Sequence, residues 1–248
     1  MIDNSEQIRN LLNFENEGDF YMLYVFKRKK DQSTDKANHQ SVRTIKTYCV
    51  DNIDYLERRY DEIKQLCEMF KARAYIQVQK QNHKDVAMNM ITEIVNRIQS
   101  GQINQKHVFD SVVGQLKTME KRWVVDIDTK DENFLIEVSN HINEHCRPFV
   151  NRSEIHTHTS AGVAISYERK PKCLATIPTK NGYHLITERF DVLEFKKRYP
   201  EIDIQKKNPT LLYLPNSLNI QGEMEHLRDG NYIGGLTMPK ESNSFWNL

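Results

Sequence analysis

The stretch Arg122-Trp-Val-Val-Asp-Ile-Asp128, just past the middle of the chain, decides how the rest is read. Its aromatic and β-branched residues suit a strand. Alternate side chains of a strand project the same way, so Asp126 and Asp128 share one face while Val125 and Ile127 take the other. Two carboxylates held that close repel each other unless a cation lies between them, and hard oxygen donors on a rigid strand suit Mg²⁺ or Mn²⁺. The plainer reading of Asp-x-Asp at a strand end is a turn or a helix cap, and the spacing alone does not choose between them.

Outward from this strand the periodicity alternates between the two regular patterns. On the N-terminal side it predicts a helix over 5–14 capped by Ser5, strands over 19–27 and 42–50 joined as a hairpin by a long polar connection, and a helix from Asp51 or Asn52 to about Phe70. A strand over 72–78 follows, then helices over 84–99 and 105–117. On the C-terminal side it predicts an amphipathic helix over 132–144, short strands over 162–167, 173–177 and 183–187, and a helix over 191–199 stopped by Pro200. Residues 201–204 and 210–214 read as a last β pair. The expectation is a single α+β domain over 1–248, with a central, mainly antiparallel sheet flanked by helices. It divides into an N-terminal half (1–121), a half carrying the chemistry (122–217) and a polar, loop-like tail (218–248).

A formal net charge of +1 means that no global basic field advertises nucleic acid, although a local basic groove is compatible with it. Cys49, Cys67, Cys146 and Cys173 are widely spaced, with no Cys-x-x-Cys pair, and read as reduced thiols. The first residues lack the basic-then-apolar order of a signal peptide, and no apolar run reaches bilayer-spanning length, so a cytoplasmic protein with no membrane partner is expected.

Two further segments carry candidate chemistry. In Ala175-Thr-Ile-Pro-Thr-Lys-Asn-Gly-Tyr-His-Leu-Ile186 a short strand leads through Lys180, Asn181 and Gly182 to His184 on the next strand. In Pro200-Glu-Ile-Asp-Ile-Gln-Lys-Lys-Asn-Pro-Thr-Leu-Leu-Tyr-Leu-Pro-Asn-Ser217 an aspartate, Asp203, sits in an apolar strand before a basic turn. Taken singly, His184 reads as a core histidine and Asp203 as a strand-end cap. His156-Thr-His158 lacks a third ligand at zinc spacing and reads as an exposed loop. Cys146 beside His145 has no partner for a catalytic dyad.

Read in order, the three segments resemble the archaeo-eukaryotic primase superfamily, in particular the compact primase-polymerase domains of phages, viruses and plasmids. The resemblance spans residues 122–217. It implies that Asp126 and Asp128 are the acidic pair and that His184 is the histidine of the second motif. Asp203 would be the third acid, with Asp191 its rival. The second motif departs from the usual serine or glycine pair before the histidine, since Asn181 and Gly182 precede Tyr183-His184 here. The implied activity is nucleotidyl transfer, with Asp126, Asp128 and Asp203 as catalytic metal ligands for Mg²⁺ or Mn²⁺. His184, Lys180 and the Asn181-Gly182 turn would bind nucleoside triphosphate oxygens. A single-stranded nucleic acid template would lie near Lys206, Lys207, Lys170 and Lys172, or near the run from Lys27 to Lys30. The implied setting is replication in a phage or mobile element, within the host cytoplasm if phage-encoded. No Walker motif is visible, so any helicase would be a separate partner.

Three other readings bear on the same residues. A haloacid-dehalogenase-type phosphatase wants Thr or Val two residues beyond the second aspartate, where Lys130 stands, and is rejected. A sugar-nucleotide glycosyltransferase could use the Asp-x-Asp but leaves the His184 segment unexplained. A non-catalytic nucleotide- or nucleic-acid-binding module on the same fold stays open, with metal-dependent nucleotide binding as the discriminating property.

Overall fold

The structure, a computed structural model, describes residues 1–28, 43–101, 107–116, 121–146, 153–159, 162–168 and 171–219, with 153–159 and 162–168 as backbone alone. It is α+β, and every strand pairing in it is antiparallel.

The strands divide between two sheets and a separate hairpin, where a single central sheet was expected. The first sheet takes β1 (Ile2–Asp3), β2 (Asp19–Lys27), β3 (Arg43–Val50), β4 (Arg73–Gln77) and β12 (Pro209–Leu214) in the order β1-β12-β4-β2-β3, with the short β5 (Gln81–Asn82) beside β2. The second has the order β11-β6-β10-β9, built from β6 (Arg122–Ile127), β9 (Cys173–Pro178), β10 (Tyr183–Glu188) and β11 (Asp203–Gln205).

The expected pairing of 201–204 with 210–214 therefore does not form: β11 joins β6, whereas β12 runs between β1 and β4. The burial of the two strands accounts for this. Leu211 to Leu214 are buried on both faces, as a central strand demands, while Asp203 is exposed and suits an edge. The basic turn Lys206-Lys207-Asn208 carries the chain from one sheet to the other. The hairpin of β7 (Ser153–Thr159) and β8 (Gly162–Glu168) corrects the second expectation, since His156 and His158 lie on a strand and not in a loop. Ile155, Thr157 and Thr159 are β-branched at alternate positions, which favours the strand.

The second sheet buries both faces. Trp123, Val125, Ile127 and Leu185 pack under α5 (Glu132–Glu144) and α6 (Val192–Arg198) against Val138, Ile142, Phe195 and Tyr199. On the opposite face Val124, Ile177 and Ile186 join the core of the first sheet, which α1 (Ser5–Leu11) and α2 (Ile53–Phe70) complete through Ile8, Leu11, Leu56 and Ile63. Asn4, not Ser5, occupies the N-cap position of α1. Its amide instead ties the two sheets, donating to Pro178 O at 2.9 Å and Leu211 O at 3.0 Å. Arg122 adds a second tie to Leu11 O at 2.8 Å. Against the first sheet's other side lie α3 (His83–Gln99) and α4 (Val108–Gln115), sharing a cluster with Phe20 and Met22. A short α7 (Asn216–Asn219) closes the described chain, so most of the expected tail lies outside the described residues. Among the described residues no helix is long and apolar enough to cross a membrane.

Candidate functional site

Antiparallel register builds the site. Asp126 on β6 stands opposite His184 on β10 and opposite Asp203 on β11, so three side chains form one row across the sheet. They lie on the same face as Val124 and Ile186, which continue into the core between the sheets. Beyond those apolar residues the inter-sheet space opens into a pocket of about 160 Å³. Asp126, His184 and Gln205 line it from the second sheet, and Phe26, Arg28, Tyr75 and Pro209 from the first sheet and its flank.

His184 is buried and held from both ring nitrogens. Nδ1 lies 2.9 Å from the hydroxyl of the fully buried Thr210, and Nε2 lies 3.5 Å from Asp126 Oδ1. Burial, then the nearby Arg28 guanidinium, pushes the imidazole down to about 4, with Asp128 opposing weakly. At neutral pH the ring is therefore uncharged, and its contact with Asp126 is a long polar contact, not an ion pair. A carboxylate only accepts, so the ring proton belongs on Nε2, which leaves Nδ1 to accept from the Thr210 hydroxyl.

Asp126 and Asp203 face each other across adjacent strands, an arrangement in which like charges destabilise a sheet. Gln205, two residues after Asp203 and hence on its face, answers both. Its Nε2 donates to Asp203 Oδ2 at 3.0 Å and reaches Asp126 Oδ2 at 3.4 Å. The two carboxylates thus already converge on one donor, and hard oxygens with two negative charges fit a divalent cation in chemistry and in charge. Asp128 is exposed past the last residue of β6. Among the described residues no three His, Cys, Asp or Glu side chains converge as a metal-ligand group.

The turn before His184 is fixed by close packing. A Cβ on Gly182 would lie 2.0 Å from Ile127 O and 2.7 Å from both Thr129 N and Thr129 O, so only glycine lets this turn meet the exit of β6. Two of the turn's donors have partners within the protein. Gly182 N donates to Thr179 Oγ1 at 3.2 Å, and Lys180 Nζ donates to Leu218 O at 2.8 Å. Asn181 is exposed at its tip. Asp191 caps α6, accepting from Leu193 N and Glu194 N, so Asp203 is the acid in register with Asp126.

The lysines scatter. Lys172 is buried against Glu188 at 3.0 Å, Lys206 lies 5.3 Å over the Trp123 ring, and Lys207 donates to Gly114 O at 2.9 Å. Lys29, Lys30 and Lys170 lie outside the described residues. Of the described residues in the run from Lys27 to Lys30, Arg28 lines the pocket, 3.4 Å from Tyr75 OH, beside the stacked rings of Phe26 and Tyr75 at 4.8 Å. Phe26, Arg28, Tyr75, Gln205 and Thr210 were not singled out by the sequence. The spacing of Gln205 from Asp203 was a usable signal, whereas the others enter only through the meeting of two sheets.

Comparison with protein-family models, with curated proteins and with solved structures finds no match.

Proposed function

We propose that the chain is a metal-dependent nucleotidyltransferase of primase-polymerase type, extending a nucleic acid strand from nucleoside triphosphates on a single-stranded template. The observation that carries this reading is the row Asp203, Asp126, His184 across one sheet, facing Arg28 and a stacked aromatic pair on the other. In the reaction a 3′ hydroxyl oxygen bonds to the α-phosphorus while the bond to the β-phosphate oxygen breaks and pyrophosphate leaves. Mg²⁺ or Mn²⁺ held at Asp126 and Asp203, with Asp128 two residues beyond Asp126 as the other acid of the pair, would ease loss of the hydroxyl proton and neutralise the leaving group.

The protein's own part is positioning. Neutral His184 turns its Nε2–H toward Asp126 at the pocket wall without adding charge beside the acids, while the Thr210 hydroxyl donates to its Nδ1. Arg28 offers a planar donor set to phosphate oxygens from the opposite wall. The pocket is smaller than the roughly 300 Å³ at which sites begin to enclose a drug-sized ligand. It therefore suits the reacting phosphates and sugar edge, with the base and template lying over the open surface.

A second reading, a non-catalytic nucleotide- or nucleic-acid-binding module, is favoured by one observation: Asp128 stands exposed beyond the strand and does not converge with the other two acids. Equilibrium binding of a nucleoside triphosphate with and without Mn²⁺, for the wild type and Asp203→Asn, tests the shared part of both readings. Binding that strengthens with Mn²⁺ only when Asp203 is present is expected. Binding indifferent to metal and to Asp203 contradicts the proposed site.

A further inference from the structure

The helix α3 is apolar on two sides, and the described residues pack against only one of them. Val86, Met90 and Ile94 turn inward to the cluster of Phe20, Met22 and α4. Met88, Ile91, Val95 and Ile98 face water, with relative exposures of 60%, 59%, 45% and 62%. A surface helix of a soluble domain ordinarily keeps one apolar stripe and a polar opposite face. The helix itself is well built, with the Asn82 side chain capping Lys84 N at 3.0 Å and a left-handed Gly101 just beyond its end. Four exposed hydrophobes on a regular helix are a surface in want of a partner.

We propose that this stripe is a dimer seam, occupied by α3 of a second copy of the chain running antiparallel. The spacing is the first argument. Positions 88, 91, 95 and 98 step by three, four and three, the a/d pattern that keeps a seam facing its partner. The second argument is symmetry. The stripe is palindromic about residue 93, so an antiparallel copy sets Met88 against Ile98 and Ile91 against Val95 at both ends, as a two-fold, self-complementary interface requires.

Charge gives the third argument, and it fixes the direction. The exposed flanking positions Ala87, Thr92 and Gln99 carry no charge, and Asp85 stands at the N-terminal end of the flank, where an antiparallel copy keeps the two Asp85 carboxylates apart. Lys84 continues the same line toward the N-terminus. A parallel copy would bring two Lys84 ammonium groups together, whereas the antiparallel one separates them and opposes the two helix dipoles favourably. The area is the last argument. The stripe offers on the order of 400 Å² of apolar surface per copy, in the range where patches on soluble proteins mark interaction sites. With its flanks the paired helices would bury about 1,000 Å² in total, the lower limit for a specific interface, which predicts a dimer that dissociates on dilution.

The test is sedimentation velocity on the full chain over two decades of concentration up to about 100 μM, a span that brackets a micromolar dissociation constant. Wild type should shift from monomer to dimer across the range. Ile91→Lys and Ile98→Lys should each be monomeric throughout, with the far-ultraviolet circular dichroism of the wild type, because both sites are already exposed. Asn96→Lys, with the same added charge on the same helix but off the seam, should dimerise like the wild type. A wild type that stays monomeric at about 100 μM overturns the proposal whatever the variants do, as does a dimer that survives both seam substitutions.

Discussion

His184 stands opposite Asp126 in the antiparallel register, with its Nε2 3.5 Å from the carboxylate and its other nitrogen on a buried threonine. An uncharged histidine is thereby placed beside an acid without forming an ion pair with it.

That placement makes stability depend on pH in a defined direction. The folded-state value of about 4 lies below that of an unfolded histidine. Between the two the unfolded chain takes up a proton that the folded one refuses. The contribution of His184 is complete above about pH 6.5 and is lost as the pH falls toward 4, amounting to about 3 kcal/mol in all. Denaturant unfolding in chelator at pH 7 and pH 5 should show a smaller loss for His184→Gln than for the wild type. Equal losses would mean that the ring is not buried neutral.

Asp126 sets the tautomer of His184, the Thr210 hydroxyl donates to the nitrogen left bare, and valine matches threonine's shape without that donor. Thr210→Val leaves His184 Nδ1 buried without its donor and should destabilise by about 1–2 kcal/mol, while Thr210→Ser should keep most of that. Imidazole nitrogen chemical shifts check the cause. They should show Nε2 protonated in both proteins, because Asp126 is unchanged, with the Nδ1 shift moved in the valine variant by the loss of its donor.

Asp203→Asn removes one of two acids facing each other across the sheet. Without metal the variant should be as stable as the wild type or more so, by about 0.5 kcal/mol, while losing Mn²⁺ affinity. Thermal melts with chelator and with Mn²⁺ separate the two effects. Marked destabilisation of the metal-free variant would mean that the carboxylate serves the fold.

Gly182→Ala places a methyl group 2.0 Å from Ile127 O, backbone against which no rotamer change gives relief. The expected loss is about 2–3 kcal/mol, read from denaturant midpoints. The displaced atoms belong to the exit of β6 that leads to Asp128, so triphosphate binding should weaken with it.

How much of this was legible in the sequence depends on the range of the contacts. Helices such as α2 and α5 and the strands β2, β6 and β10 are local periodicity, and the chain declares them. The pairing of β11 and β12 with different sheets is not local, because two neighbouring apolar runs look like a hairpin until burial on one or both faces is known. Asp126, His184 and Asp203 could be singled out as candidates because each sits within a recognisable segment. Their common row follows from register, and it demotes Asp191 to a helix cap. Lys180, a candidate for triphosphate oxygens in the sequence, donates to Leu218 O, a residue 38 positions away, a contact no local pattern reveals. Arg28 was hidden within a basic run whose other members looked equally eligible.

The measurement that bears most directly on the proposed activity is incorporation of labelled nucleoside triphosphates on a single-stranded template, with and without an annealed primer, in Mg²⁺ and in Mn²⁺. Asp126→Ala is run beside the wild type. The account predicts product that requires metal and disappears in Asp126→Ala, with the unprimed reaction showing whether the protein also starts chains. No product in either metal from a wild type that still binds triphosphate, or synthesis undiminished in Asp126→Ala, would contradict it.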